Sequence, residues 1–268
     1  MDEYTINILS SANYVNPLRY ISGRIIEYDM KAANVSVLLQ KGKISEDYYN
    51  KLNSMPKQYR EIEIGLLEKS DPSYYTIISE GIREYRLKFG ELNNIDGTQI
   101  VRIANDAMYI NTSIDLPYIQ IDKYILFRPK SEANVVIRLN KIIVFISFLS
   151  DGGISIDVKG ISDDKYALHT NYILSVIATT AYYIERSSME DAIGYISQFI
   201  EDYIKRKLDI NYYRQFNSDS LFVINVRGEN FGVPFVDDQY KDIIDINYNL
   251  SILRELWSIV LELYNRRK

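Results

Sequence analysis

The spacing of apolar residues changes repeatedly along this chain, and those changes limit what it can fold into. A strand-like run from Arg24 to Tyr28 is followed by apolar residues at helical spacing. Further helical patterns begin at Ser45, Pro56 and Ser73. Strand-like alternation returns after Gly97 and continues to about residue 160. Strands on both sides of a block of helices predict an α+β domain whose antiparallel sheet is packed with helices.

A different pattern fills the remainder of the sequence. From about residue 166 onward, two long segments and the C-terminal segment carry apolar residues three and four positions apart. Polar, loop-like sequence separates them. We therefore predict two parts, an α+β domain over residues 1–165 and a mainly helical region over residues 166–268.

Composition excludes several classes of protein. The chain has no cysteine and a single histidine, His169, so thiolate metal sites and histidine-cluster zinc sites lack their ligands. A Ser-His-Asp hydrolase is also disfavoured, because no G-x-S-x-G motif accompanies that histidine. The net charge of −5 argues against a protein that passively coats nucleic acid.

Targeting and membrane signals are missing from the sequence. The longest apolar run, Ile142 to Leu149, has the length of a strand rather than the roughly 20 residues that cross a bilayer. The first residues are acidic where a signal peptide needs a basic region. We expect a cytoplasmic protein with no membrane partner, located in the host-cell cytoplasm if a phage encodes it.

Two aspartates occupy positions where strands end. Asp29 stands between the first strand and the following helix, and Asp106 lies in a tight Asn-Asp turn between two strands. Neighbouring strand ends would bring the two carboxylates together as ligands of Mg²⁺ or Mn²⁺. The alternatives are a helix N-cap for Asp29 and an ordinary turn residue for Asp106. Glu27 faces the same side as Asp29 and is either a third ligand or a surface acid.

These segments resemble motifs of nucleic-acid polymerases. The segment EYDMKAANVSVL is similar to motif A of the palm domain, in which a strand ends at a metal-binding aspartate. VRIANDAMYIN resembles motif C, the hairpin that carries a second aspartate. GISIDVKGI, followed by helices, resembles the passage from palm to thumb in family B DNA polymerases. The resemblance covers residues 24–209 in the order of its elements and is weak in identity.

The resemblance implies roles for particular residues. Asp29 and Asp106 would be the catalytic metal ligands, in a palm-like domain with a short fingers-like insertion at about 45–93 and a thumb-like region after it. Asn34 lies five residues after Asp29, where those families place a bulky tyrosine or a glutamate that excludes ribose. The hairpin also departs from the family B pattern of two acids, since Ala107 follows Asp106.

Cations are the remaining candidates for binding. Lys57 and Arg60 share one face of a predicted helix and would bind a nucleoside triphosphate, or else form a solvated helix face. Lys159 would contact a nucleic-acid backbone, or belong to a simple turn.

A basic and aromatic segment follows later in the chain. Lys205, Arg206 and Arg214 are interleaved with tyrosines and a phenylalanine, which suits a single nucleic-acid strand. A helix end followed by a packed loop fits the same residues.

The function that the resemblance implies is metal-dependent nucleotidyl transfer on a nucleic-acid primer by a minimal, phage-type polymerase. Its partners would be nucleic acid and a nucleoside triphosphate. The alternatives are a non-catalytic accessory protein that binds nucleic acid or a replication or transcription partner, and a phage structural protein.

Overall fold

The computed structural model describes residues 1–140, 142–216 and 219–267 and divides the chain into two compact units. The first unit contains Met1–Pro17 and Gly23–Glu132, and the second contains Leu18–Ser22 and Ala133–Lys268. Antiparallel sheet packed against helices occurs in this chain as the sequence predicts, so the α+β fold class is confirmed.

The first unit contains five helices and six strands, two of which continue into the second unit. In chain order they are α1 (Glu3–Ser10), β1 (Asn13–Val15), β2 (Tyr20–Met30), α2 (Ala33–Gln40), α3 (Glu46–Ser54), α4 (Lys57–Ser70), α5 (Ser73–Leu92), β3 (Ile100–Ala104), β4 (Ala107–Asn111), β5 (Gln120–Asp122) and β6 (Ile125–Leu139). The strand order across its sheet is β1-β3-β4-β2-β6, and β5 pairs with β6.

Helix α2 contributes strongly to the first unit's core, because six of its eight residues are buried and five of those six are apolar. Val35, Val37 and Leu38 are almost fully buried. Helix α5 covers α2 and approaches it closely at Gly81, where an added Cβ would collide with Cγ1 of Val37. This packing holds α2 against α5 near the middle of α2.

Sequence signals for helix ends are largely confirmed. Ser45 caps α3 by accepting a hydrogen bond from the N–H of Tyr48, and α4 begins directly after Pro56. The turn between β3 and β4 contains only Asn105 and Asp106, and Asn105 has a φ of +54°. Asparagine tolerates this left-handed conformation, which suits a two-residue hairpin.

The apolar stripe of α4 differs from the expectation. Tyr59, Ile62 and Leu66 recur at helical spacing, which predicts a buried face, but more than half of each side chain is exposed. Ile64 is the buried residue of this helix. The apolar spacing therefore predicts the helix correctly but not the face that it buries.

The second unit begins with parts of β2 and β6 and continues with helices and short strands. Its further elements are β7 (Ile142–Phe148), β8 (Ile154–Lys159), α6 (Asp163–His169), α7 (Ile173–Arg186), α8 (Met189–Ile204), β9 (Phe222–Val226), β10 (Glu229–Val233) and α9 (Asn247–Arg267). The strands β6, β7 and β8 pair antiparallel in that order, and β9 pairs with β10 as a hairpin. Among the described residues, no helix is both long and apolar enough to span a membrane.

Two features of the second unit differ from the sequence-based division. The boundary predicted at about residue 165 falls inside this unit, because Val144 of β7 shares one hydrophobic core with Ile177 of α7 and Leu253 of α9. The hairpin β9–β10 lies where the sequence indicates only polar loop. Its turn is made by Arg227 and Gly228, which both have positive φ.

Candidate active site

Asp29 and Asp106 lie at neighbouring strand ends in the first unit. Asp29 is paired in register with Ala107, the residue that follows Asp106. The N–H of Met30 donates a hydrogen bond to the carbonyl oxygen of Asp106 over 3.2 Å. Both aspartates line one cleft of about 440 Å³. The structure therefore brings together the pair that the sequence singles out.

The N-cap alternative for Asp29 is wrong. Asp29 lies within β2, and the residue at the N-cap of α2 is Ala32, whose side chain makes no capping hydrogen bond. Ala32 has a φ of +48°, an uncommon conformation for alanine. This sharp change of direction lets the end of β2 and the first turn of α2 face the same cleft, which Asp29, Ala33 and Asn34 all line.

Asp106 is a turn residue, as the alternative for it states, and its carboxyl group also lies in a strongly charged environment. Burial raises its pKa, and the negative charge of Asp29 raises it further. Lys57 and Lys130 oppose this effect but do not cancel it. The two carboxylates are therefore close enough to repel each other, which is the electrostatic condition that a shared cation relieves.

Four cationic side chains line the cleft together with the two aspartates and Glu61. Lys57 and Arg60 come from α4, as the sequence predicts. Arg128 and Lys130 come from β6 and were missed in the sequence. Their spacing of two residues places them on one face of a strand, but it does not show that this strand lies beside β2.

The cations of β6 interact with the acids directly. Nη2 of Arg128 lies 3.5 Å from Oδ2 of Asp29. Burial alone would lower the pKa of Lys130, but attraction to Glu27, Asp29 and Asp106 outweighs it and raises that pKa. Arg128 and Lys130 therefore partly neutralise the acidic end of the cleft.

Glu27 does not behave as the surface acid that one alternative describes, because only 5% of it is exposed. Its carboxylate accepts a hydrogen bond from Oγ of Ser131 at 2.6 Å and from Nζ of Lys130 at 3.3 Å. Glu27 does not belong to the lining of the cleft. Through these contacts Glu27 holds the side chains of Lys130 and Ser131 on β6.

The donor set of the cleft fits a hard divalent cation. Asp29 and Asp106 offer carboxylate oxygens, and Mg²⁺ is commonly bound by one or two carboxylates together with water and substrate phosphates. No group of three or more histidine, cysteine, aspartate or glutamate side chains suited to a metal occurs in the part of the chain that the structure describes. Such a cation would thus depend on these two acids and on the oxygens of a substrate.

A second groove meets the cleft at Asn34 and Asn105, which line both. This groove has a volume of about 560 Å³ and is bordered by α5 and by the segment between α1 and β1. Ser79 and Arg83 contribute polar groups to it, and Tyr75 contributes an aromatic one. The two depressions therefore adjoin each other at these two residues.

The cations predicted to bind nucleic acid in the second unit have partners within that unit. Lys159 forms an ion pair with Asp157 at 2.7 Å, and Lys205 forms one with Glu201 one helical turn away. Both lysines remain partly exposed. Their proposed contacts with nucleic acid stay predictions.

The two arginines of this group are held more firmly. The guanidinium of Arg206 donates to the carbonyl oxygens of Lys241 and Ile244 at 3.2 and 3.1 Å. Nε of Arg214 donates to Oδ1 of Asn211 at 2.7 Å, and its guanidinium lies over the ring of Phe222. These contacts are those of a helix end followed by a packed loop, the alternative that the sequence leaves open.

Comparison with known proteins shows the family of this chain. Residues 4–262 match the family described as Bacteriophage PBS1 gene 130 protein, and the chain belongs to that family. No curated protein matches the sequence. Among solved structures, the fold is similar to the family B DNA polymerase from the hyperthermophilic archaeon Pyrobaculum calidifontis, with a TM-score of 0.48 and 11% identity. That similarity covers 92% of this chain and 47% of the polymerase chain, so this chain spans about half of the polymerase's length.

Proposed function

We propose that this protein performs metal-dependent nucleotidyl transfer on a nucleic-acid primer. The observation that carries the proposal is the meeting of Asp29 and Asp106 at two neighbouring strand ends, inside a cleft lined by four cations. Acids held in this way bind divalent cations, and the surrounding lysines and arginines bind phosphate oxygens.

Each part of the cleft has a task in this reaction. A divalent cation on the two carboxylates would lower the pKa of the attacking hydroxyl and offset the charge that develops on the phosphorus oxygens. Lys57 and Arg60 bind the triphosphate from the side of α4. Arg128 and Lys130 partly neutralise the charge of the aspartates and bind the phosphate group closest to them. Glu27 and Ser131 hold Lys130 in its place.

The shape of the site favours a polymer as one substrate. A nucleoside triphosphate alone would need only the cleft. The adjoining groove provides further binding surface beyond Asn34 and Asn105, which suits a longer substrate. The order of the segments similar to motifs A and C agrees with a polymerase. For these reasons we propose a minimal palm-type polymerase in which a primer 3′-hydroxyl attacks the α-phosphorus of the nucleoside triphosphate. The hydroxyl proton passes to solvent, the bond between the α- and β-phosphates breaks, and pyrophosphate leaves.

A second candidate is an accessory protein that binds nucleic acid without catalysis. The specific observation in its favour is the hairpin itself, which carries Asp106 but has Ala107 at the next position. With only the two aspartates placed to share a cation among the described residues, metal binding depends more on the substrate than it would with three such ligands. An accessory protein would bind nucleic acid equally well with and without Mg²⁺.

Primer extension tests the proposal. Purified protein, a primed template and nucleoside triphosphates are incubated with Mg²⁺ or Mn²⁺, and extension is followed on a gel. We expect extension by the wild type and a loss of at least 100-fold in Asp29→Asn and Asp106→Asn. Asp47→Asn, which changes an exposed acid on α3, serves as the matched control and should retain activity. Equal extension by all four proteins would remove the assigned roles.

A further inference from the structure

Arg86 is a buried arginine of α5 whose guanidinium reaches the turn that carries Asp106. Only 2% of Arg86 is exposed. Its Nε donates a hydrogen bond to the carbonyl oxygen of Leu9 at 3.1 Å, and its Nη1 donates one to the carbonyl oxygen of Asn105. Removing a guanidinium from water is costly unless its donors are satisfied. A buried apolar side chain would pack the same helix without that cost, so the charge calls for an explanation.

The turn that Arg86 reaches is also held by two backbone hydrogen bonds. The N–H of Asn105 donates to the carbonyl oxygen of Ala12 at 2.7 Å, and the carbonyl oxygen of Asp106 accepts from the N–H of Met30 at 3.2 Å. Arg86 adds a third contact, at the carbonyl between these two. Both residues of the turn are thereby fixed, although Asn105 is exposed.

The charge of Arg86 interacts with the same turn to which its guanidinium donates a hydrogen bond. Burial lowers the pKa of Arg86 to about 10, and attraction to Asp106 opposes that decrease. Helix α5 also packs against α4, which carries Lys57 and Arg60. Arg86 therefore connects α5, which packs against the helix that carries Lys57 and Arg60, to the turn that contains Asp106.

We propose that Arg86 is a positioning residue that holds the Asn105–Asp106 turn so that the Asp106 carboxylate stays beside Asp29. This inference rests on the proposed function, because it assumes that the two carboxylates bind a cation together. Arg86 does not line the cleft, although it belongs to the wall of the adjoining groove. It acts through the backbone of the turn.

The test compares Arg86→Met and Arg86→Lys with Phe89→Leu. Phe89 is a fully buried residue of the same helix, one turn further along, and its truncation lowers stability without removing a contact to the turn. Two quantities are measured beside the melting temperature. The first is the affinity for Mn²⁺, followed by electron paramagnetic resonance. The second is amide hydrogen exchange at Asn105 and Met30, which needs no metal.

We expect Arg86→Met to weaken Mn²⁺ binding about tenfold, the lower end of the effect seen for residues that orient metal ligands. Exchange at Asn105 and Met30 should accelerate in the same variant. Arg86→Lys should fall between Arg86→Met and the wild type, because one ammonium group cannot copy both guanidinium contacts. Phe89→Leu should keep the wild-type Mn²⁺ affinity and the wild-type exchange rates, although its melting temperature falls by a similar amount to that of Arg86→Met.

Two results would overturn the role of Arg86. One is wild-type exchange at both amides in Arg86→Met, and the other is an equal change in Phe89→Leu. A wild type that does not bind Mn²⁺ would contradict the proposed function instead, and the exchange rates would then still decide whether Arg86 holds the turn.

Discussion

The N–H of Met30 and the carbonyl oxygen of Asp106 form a 3.2 Å hydrogen bond between β2 and the β3–β4 turn. This contact places Asp29, the neighbour of Met30 in the chain, beside Asp106. Four α-helices, α2 to α5, are encoded between the two acids, yet the sheet register returns the chain to the same point. The proximity of the two carboxylates depends on this register.

The cations of α4 should control binding of the triphosphate. Lys57→Ala and Arg60→Ala each remove one charged donor, which corresponds to about 1.5 kcal/mol and thus to roughly tenfold weaker binding. The measurement is a titration with a fluorescent nucleoside triphosphate in the presence of Mg²⁺. Lys69→Ala changes a lysine in the last turn of the same helix and is the matched control. Equal affinities in all variants would assign Lys57 and Arg60 to a solvated helix face.

Asp106 should lower the stability of the metal-free protein at neutral pH. Its pKa in the folded protein is raised above the usual 3.8 by burial and by Asp29. The unfolded chain therefore ionises this group more readily, and the free energy of unfolding falls as the pH rises through the folded pKa. Metal-free Asp106→Asn should melt at a higher temperature than the wild type at pH 7, with a difference that narrows as the pH approaches 3.8. A lower melting temperature at pH 7 would contradict the charge repulsion described for the cleft.

Glu27 should matter for stability rather than for metal binding. Its buried carboxylate is paired with Ser131 and Lys130, so Glu27→Ala leaves a hydroxyl and an ammonium without their acceptor. Because Lys130 is half exposed, we expect a loss of about 1–3 kcal/mol in the free energy of unfolding. Denaturant unfolding measures that loss. Glu27→Gln should bind Mn²⁺ far better than Asp29→Asn, whereas equal weakening would make Glu27 a third ligand.

His169 should make the second unit sensitive to acid. It is fully buried, its Nε2 lies 3.1 Å from the carbonyl oxygen of Gln215, and burial lowers its pKa to about 4. Between pH 6.5 and 4 the unfolded chain binds a proton at this residue and the folded chain does not. Stability should therefore fall by up to about 1.4 kcal/mol per pH unit over this window.

The measurement is urea unfolding of the wild type and His169→Gln at several pH values. The glutamine has no titratable group but keeps a donor for the carbonyl oxygen of Gln215. As the pH falls from 6.5 to 4, the free energy of unfolding of the wild type should decrease relative to that of His169→Gln. Parallel pH profiles would show that the imidazole titrates alike in the folded and unfolded chains, which would contradict the lowered pKa.

The sequence predicts the local elements of the site well. The two-residue turn at Asn105–Asp106 follows from residue chemistry, and the start of α4 after Pro56 follows from proline's place at helix starts. The pairing of Asp29 with Ala107 agrees with the resemblance to motifs A and C. The turn and the helix start depend on short segments, so a single sequence contains enough information for them. The pairing is a long-range contact, which only the resemblance implies.

Features that depend on distant packing were not predictable in the same way. Arg128 and Lys130 face the aspartates only because β6 lies beside β2, which no local pattern reveals. The buried positions of Glu27 and Arg86 arise from partners on other elements, and charged residues are normally expected on the surface. The apolar face of α4 is the opposite case, since it is exposed although apolar residues are normally expected in the core. Helical periodicity predicts an apolar face but not which element, if any, covers it.

The most direct measurement of the central claim is Mn²⁺ binding to the wild type, Asp29→Asn, Asp106→Asn and the double variant. If the two carboxylates share a cation, each single substitution should weaken binding by at least tenfold, and the double variant should lose little more than either single variant. Independent sites would give additive losses instead. Additive losses, or wild-type affinity in either single variant, would contradict the shared site on which the proposed function depends.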